Sequence, residues 1–363
     1  MDKDIYRQLA AALDRIPNGF PATESGVELR LLARMFTPDE ALLGSVMNVT
    51  PEPVAAIAAR AGVEPEAAAA TLSRMAAKGL IARAAGGGPA ALLALKPFIV
   101  GSYESQLSRM DEEFASLFEQ YFQETRGAIT REVPYLHRVL PVDQAIPFDL
   151  EIHPYERAAE LLEGAKSWGV RPCVCRVQQR LVGKGCDHPV ENCLMFAPVE
   201  GAFDDDGVDR AITKDEALRL LREAAEAGLV HSTANYRSGN NYICNCCTCC
   251  CGILRSVADL GMSRTVARSG FRALVDEDLC SGCGECVARC QFHALTLAEG
   301  MCRADILRCS GCGQCAMACP AGAMRLVRLT DAGAVTPPAD VGEWRAKRVE
   351  ARSRAQNGMQ GPR

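Results

Sequence analysis

The residues of this 363-residue chain that could do chemistry are its 19 cysteines, all of which fall between Cys173 and Cys319. Two runs share the pattern C-x-x-C-x-x-C-x-x-x-C: Cys280, Cys283, Cys286 and Cys290, then Cys309, Cys312, Cys315 and Cys319. The stretch "CNCCTCCC" holds six more, Cys244, Cys246, Cys247, Cys249, Cys250 and Cys251. Upstream, "RPCVCRVQQRLVGKGCDHPVENCLMF" holds Cys173, Cys175, Cys186 and Cys193. Core packing does not account for such runs, because adjacent side chains point in different directions in helix and strand alike. A disulfide scaffold suits a short exported chain. Here the start, "MDKDIYRQLAAALDRIPNGF", has neither the apolar core nor the small-residue cleavage site of a signal peptide. The spacings are those of metal ligands.

The two four-cysteine runs sit in an internal repeat. "VDEDLCSGCGECVARCQFHALTL" recurs 29 residues later as "ADILRCSGCGQCAMACPAGAMRL". Residues 273–328 thus resemble the bacterial two-cluster ferredoxins, which implies two [4Fe-4S] clusters. Within that family the fourth cysteine of each run ligates the other cluster. The resemblance therefore implies Cys280, Cys283, Cys286 and Cys319 for cluster 1, and Cys309, Cys312, Cys315 and Cys290 for cluster 2. The family's proline after the fourth cysteine is present as Pro320, but Gln291 stands there in the first repeat. Zinc sites come instead as two separated pairs. Cys302 lies outside both runs and reads as a loop or core thiol.

The ten remaining cysteines exceed what one cluster needs. If "CNCCTCCC" is helical, Cys246 with Cys249 and Cys247 with Cys250 form i, i+3 pairs on adjacent faces. Two centres would then flank one segment, each completed from residues 173–193, as two four-ligand sites with two thiols to spare. One or two further iron–sulfur clusters, or zinc, are the candidate occupants; a metal-free redox dithiol is the remaining reading. Arg171, Arg176, Arg180 and Lys184 could offset the charge of an all-thiolate cluster. His188 is a candidate ligand or a loop hydrogen-bonder. C-x-C ligation has a parallel in ferredoxin:thioredoxin reductase.

The elements that must position these residues read as a multidomain α+β chain. Residues 1–100 resemble a winged-helix domain: "GVELRLLARMF", a helix capped by Thr37, Pro38 and Glu40, the pair "PVAAIAARAGV" and "EPEAAAATLSRMAAKGL", then strand, glycine-rich tip and strand. Residues 101–147 read as a helical connector, with one long helix over 104–126 and an extended, proline-bearing stretch from 132 to 148. A cysteine-rich α/β middle domain follows over 148–272. Its helices are expected in "HPYERAAELLEGAKSWG" and, capped by Thr213 and Glu216, in "KDEALRLLREAAEAG"; "LVHST" reads as a strand. The ferredoxin-like module covers 273–328, and 329–363 holds one basic helix and a flexible tail. The whole arrangement is similar to anaerobe proteins that join a winged-helix-like start to a ferredoxin end.

Composition is that of an ordinary globular protein, 48% hydrophobic and 23% charged with a net charge of −5. No apolar stretch approaches the roughly 20 residues of a membrane span, so a cytoplasmic protein is expected. Nucleotide-binding and serine-hydrolase motifs are absent. The expected function is electron transfer between a low-potential donor and a partner oxidoreductase in anaerobic metabolism, with no catalytic residues of its own assigned. The alternative is a redox-sensing winged-helix regulator. Against DNA as a partner, residues 51–100 carry five basic side chains (Arg60, Arg74, Lys78, Arg83, Lys96) and three acidic ones (Glu52, Glu64, Glu66). A duplex binder neutralises roughly 6–10 phosphates. Docking or homodimer formation is the expected use of that domain.

Overall fold

The computed structural model describes residues 3–83, 91–146, 152–204, 209–262, 264–329 and 336–358. Helix and sheet are mixed throughout, in two compact units. One comprises Met1–Ile129 with Val177–Lys184, the other Thr130–Arg176 with Gly185–Arg363.

The first unit opens with a helix, Lys3–Arg15, that the sequence reading above does not include. Its signal was present: Tyr6, Leu9 and Leu13 recur at helical spacing and all are buried. Helices Val27–Met35 and Pro38–Val46 follow. The second has a reciprocal capping box, with Glu40 N–H donating to Thr37 Oγ1 at 3.4 Å and Thr37 N–H to Glu40 Oε2 at 2.9 Å. Then come β1 (Glu52–Pro53), helices Val54–Ala61 and Pro65–Ala77, β2 (Ile81–Arg83) and β3 (Leu92–Leu95). The strands form an antiparallel sheet in the order β1-β3-β2. The glycine-rich tip expected between β2 and β3 lies outside the described residues. The helix expected over 104–126 is two pieces, a 3-10 segment Glu104–Arg109 and an α-helix Glu112–Thr125. Asp111 separates them, because its carboxylate accepts from Phe114 N–H at 2.9 Å and so starts a new helix.

The second unit is built on a six-stranded antiparallel sheet. Its strands are β4 (His137–Leu140), β5 (Ser167–Pro172), β6 (Glu191–Ala197), β7 (Arg210–Ile212), β8 (Val230–Ala234) and β9 (Tyr242–Cys246), in the order β4-β8-β9-β6-β5-β7. The stretch 132–148 is therefore more than a connection, since β4 inside it pairs with β8 from His137↔Ala234 to Leu140↔His231. The helix expected over "HPYERAAELLEGAKSWG" is shorter than that reading. A 3-10 turn Pro154–Glu156 and a helix Ala158–Glu163 give way to β5. Helices Ala158–Glu163 and Lys214–Glu226 close over the sheet through a core of Ala158, Leu162, Val170, Leu194, Ala217, Leu221 and Ile243.

The cysteine repeat forms two antiparallel pairs, β10 (Phe271–Val275) with β13 (Met324–Arg328) and β11 (Leu295–Ala298) with β12 (Met301–Ala304). A one-turn helix ends each cysteine run, Glu285–Arg289 and Gln314–Ala318. Phe271 and Leu326 share a buried cluster with Val142, Ala145 and Ala225, which seats the repeat against the rest of the unit. The terminal helix Val341–Gly358 is anchored there too. Trp344 Nε1 donates to Tyr135 O at 3.0 Å, and the buried Arg348 donates to Pro134 O at 2.7 Å. The flexible tail expected after it falls on residues outside those described.

Candidate metal centres

The repeat holds two cysteine-lined pockets. Cys290, Cys309, Cys312 and Cys315 line one, with Phe292, Leu295 and Leu326. Cys280, Cys283, Cys286 and Cys319 line the other. Each cavity thus takes three cysteines from one run and the fourth from the other. Cys302 lines the second cavity as well, buried, with its Sγ 3.5 Å from that of Cys286. Cys302 is thus a core thiol, on strand β12, and its nearness to the first run is a tertiary fact. Backbone amides point at the sulfurs: Ala294 N–H donates to Cys290 Sγ at 3.3 Å and Ala273 N–H to Cys309 Sγ at 3.4 Å. Burial pushes the Cys312 thiol up to about 12 and raises Cys315 and Cys290. Thiols so placed keep their protons at neutral pH until a metal displaces them.

In the middle domain the ten cysteines fall into six and four. The six form a closed ring in which each thiol contacts two others. In order round the ring these are Cys173, Cys175, Cys251, Cys246, Cys244 and Cys193, and Cys193 meets Cys173 again. The sheet explains half of this. Alternation along β9 puts Cys244 and Cys246 on one face. The β6–β9 register, Leu194↔Ile243, brings Cys193 beside Cys244 one step further on. Cys173 and Cys175 come from the junction of β5 with helix Val174–Leu181, and Cys251 from the turn after β9. Contacts from Cys175 and Cys193 lower the Cys173 thiol, whereas the other five members are raised.

The four are Cys186, Cys247, Cys249 and Cys250, whose Sγ atoms all lie within 4.8 Å of one another. Cys186 Sγ is 3.9 Å from Cys247 Sγ and 3.4 Å from Cys250 Sγ. Here the Cys247 thiol is the one lowered, held by Cys249 and Cys250 and then by Arg176. Both groups draw on both cysteine segments, but the division is six and four. The helical pairing of Cys246 with Cys249 does not occur, because β9 ends at Cys246 and a turn follows; Cys247 and Cys250 do share a group.

Of the candidate basic residues, Arg176 is bonded to a thiol. It is buried, and its Nη2 donates to Asn245 O at 2.9 Å and to Cys247 Sγ at 3.5 Å, while Nη1 donates to Asn192 Oδ1 at 2.9 Å. Burial opposes its charge, and the thiols Cys173, Cys247 and Cys246 more than offset that. Arg171 pairs with Asp209 at 2.6 Å and Lys184 with Glu119 at 3.2 Å. Among the described residues His188 belongs to neither thiol group.

Residues 273–296 and 305–325 match the family of 4Fe-4S binding domains. The C-terminal module is ferredoxin-like. Through it the chain is an iron–sulfur protein. Neither a curated protein nor a solved structure matches the chain. Among the described residues no helix is long and apolar enough to cross a membrane.

The one departure from the family pattern joins this module to the middle-domain cysteines. Gln291 Oε1 accepts from Thr248 N–H at 3.0 Å and from Thr248 Oγ1 at 2.8 Å, and Gln291 Nε2 donates to Gly228 O at 3.2 Å. Thr248 stands inside the four-thiol group, between Cys247 and Cys249, and Gln291 follows Cys290. A proline at 291 could make none of these bonds. Gln291→Ala should leave the Thr248 amide without its acceptor, at a cost of about 1–3 kcal/mol. Hydrogen exchange at Thr248 is expected to quicken by about 5- to 150-fold; unchanged protection would show that the contact is incidental.

Proposed function

We propose that the protein passes electrons between a low-potential donor and a partner oxidoreductase, through two [4Fe-4S] clusters in the module and metal held by the middle-domain cysteines. Cluster 1 is assigned to Cys280, Cys283, Cys286 and Cys319, and cluster 2 to Cys309, Cys312, Cys315 and Cys290. The observation that carries the reading is the bridge through Gln291, which sets the Cys290 end of the module against the Cys247–Cys250 turn. The two cavities also differ in exposure. Cys283 is exposed, and Leu279 and Leu297 beside that cavity are 54% and 47% exposed, whereas Cys309, Cys312 and Cys315 are buried. Cluster 1 is accordingly the end that meets the redox partner, and cluster 2 faces inward.

The DNA-binding alternative loses ground on two contacts. Lys78, a basic residue of the helix that would enter a groove, is bound to the buried Glu40 at 2.8 Å. Arg74 donates to Thr71 at 2.9 Å.

Anaerobically purified protein should take up electrons from dithionite and return them to a low-potential acceptor, with cluster signals in electron paramagnetic resonance. Absence of any reducible centre would remove the reading. Cys319→Ser should perturb the cluster of Cys280, Cys283 and Cys286 and leave the other close to normal. Loss of the Cys309 cluster first would overturn the crossed assignment.

A further inference from the structure

We propose that the middle-domain cysteines are two centres of different nuclearity: Cys186, Cys247, Cys249 and Cys250 hold one tetrahedral divalent ion, zinc or ferrous iron, and the six-thiol ring holds a polynuclear iron–sulfur cluster. This rests on the reading of the chain as an iron–sulfur protein and specifies what its middle domain binds.

The geometry of the four-thiol group carries the first half. Four thiolates at about 2.3 Å from one ion in a tetrahedron stand about 3.8 Å from each other. The observed separations are 3.9 Å and 3.4 Å, and all four sulfurs lie within 4.8 Å of one another. In a cubane each thiolate binds a different iron, so its sulfurs stand apart by the width of the cluster. The module's own cysteines are spread in that way: among the described residues, no group of them meets the same mutual limit. The donor set fits as well, because an all-thiolate tetrahedron is a preferred structural environment for zinc and suits ferrous iron. Arg176 and the Thr248–Gln291 bonds supply the surrounding support that orients such ligands.

The ring carries the second half by the same measure. Two thiolates on one ion cannot lie farther apart than twice the bond length, about 4.6 Å. Among the described residues no three ring members all lie within 4.8 Å of one another, although each contacts two neighbours. No single ion can therefore be held by three or more of these thiols as placed. A ring of six sulfurs of which no three meet that limit fits an object with several metal atoms, each reached by one or two thiolates. Charge agrees: six thiolates with Arg176 as the nearby buried cation call for several positive charges, and each thiol gives its proton to solvent as it binds metal.

The test uses full-length protein purified without air and without added metal. Iron, zinc and acid-labile sulfide are counted on the unmodified chain, with X-ray absorption at the zinc and iron edges and Mössbauer spectroscopy. Expected is a single ion per chain, seen as zinc with four sulfurs at about 2.3 Å and no metal–metal scattering, or as a high-spin ferrous tetrathiolate. Expected also is iron and sulfide beyond the about eight of each that the module's two cubanes supply. Cys249→Ser, at an exposed position, should cut retention of the single ion at least tenfold with sulfide unchanged. Cys193→Ser should lower iron and sulfide together and spare the single ion. Sulfide lost in Cys249→Ser, metal–metal scattering at the zinc edge, or a ring loaded with zinc and no sulfide would each overturn the proposal while leaving the electron-transfer reading intact. Failure to find the module's own iron would instead sink that reading.

Discussion

Replacing Cys173 and Cys175 together by serine is expected to strip the metal from the middle domain's ring and to loosen its sheet, while the ferredoxin-like module stays folded and loaded. The two residues are neighbours in the ring and meet it at Cys193 and Cys251, so their loss opens it on both sides. The ring ties together three separated pieces of chain, the β5–helix junction, β6, and the β9 turn. Metal clasps of this kind are worth about 10–16 kcal/mol in small structural zinc sites. That compares with a whole-domain stability of about 5–15 kcal/mol. Six buried or half-buried thiols without their metal would also be open to oxidation. The module has its own hydrogen-bonded strand pairs and its own cysteines, and nothing in the ring ligates within it. Limited proteolysis should then give early cuts between 186 and 251 and a surviving fragment that contains 273–328. Iron should fall to the about eight of two cubanes, with one more where the four-thiol site holds ferrous iron. Unchanged metal content with unchanged protease resistance would show that Cys173 and Cys175 are not part of a shared site.

Local chemistry was legible in the sequence wherever it is local in space. Thr37 with Glu40 and Thr213 with Glu216 read as helix starts because the capping bonds span three residues, and both are present. Gly79 ends its helix in the same local way, since a left-handed residue there lets Leu80 N–H reach Met75 O at 3.0 Å. The cysteine repeat was legible for the same reason. What the sequence hid is tertiary. "CNCCTCCC" carries no mark of where its strand stops, yet that point, Cys246, decides which sulfurs face the ring and which the four-thiol group. Asp111 interrupts a stretch whose apolar period is otherwise continuous, and only its bond to Phe114 turns a polar residue into a boundary. Gln291 was visible as a departure from a family pattern, but Thr248 and Gly228, its partners, lie 43 and 63 residues away. Arg176 was one of four basic candidates with nothing local to single it out, and burial beside Cys247 does so.

Gly311→Ala is expected to abolish the cluster assigned to Cys309, Cys312, Cys315 and Cys290. Gly311 lies between Ser310 and Cys312 with φ +69, a conformation that costs a residue with a side chain about 1–2 kcal/mol. The larger effect is steric. A Cβ there would stand 2.2 Å from Phe271 O and 2.3 Å from Ser269 Oγ. Neither neighbour can yield cheaply: Phe271 opens β10 and is buried in the cluster shared with Val142 and Leu326, and Ser269 Oγ donates to Gly311 O at 2.8 Å. Relief must come from moving the 309–312 loop, which displaces two of the four sulfurs lining that cavity. Iron should fall by about four per chain, and spin coupling between the two clusters should vanish from the reduced spectrum. Gly322→Ala separates strain from collision. Its φ is +64, yet a Cβ there meets nothing within 4 Å, so both clusters should survive with only a small loss of stability. If Gly311→Ala keeps its full iron and a coupled spectrum, the close approach of β10 to the second cysteine run does not position that cluster. If Gly322→Ala loses iron equally, backbone strain alone accounts for the result.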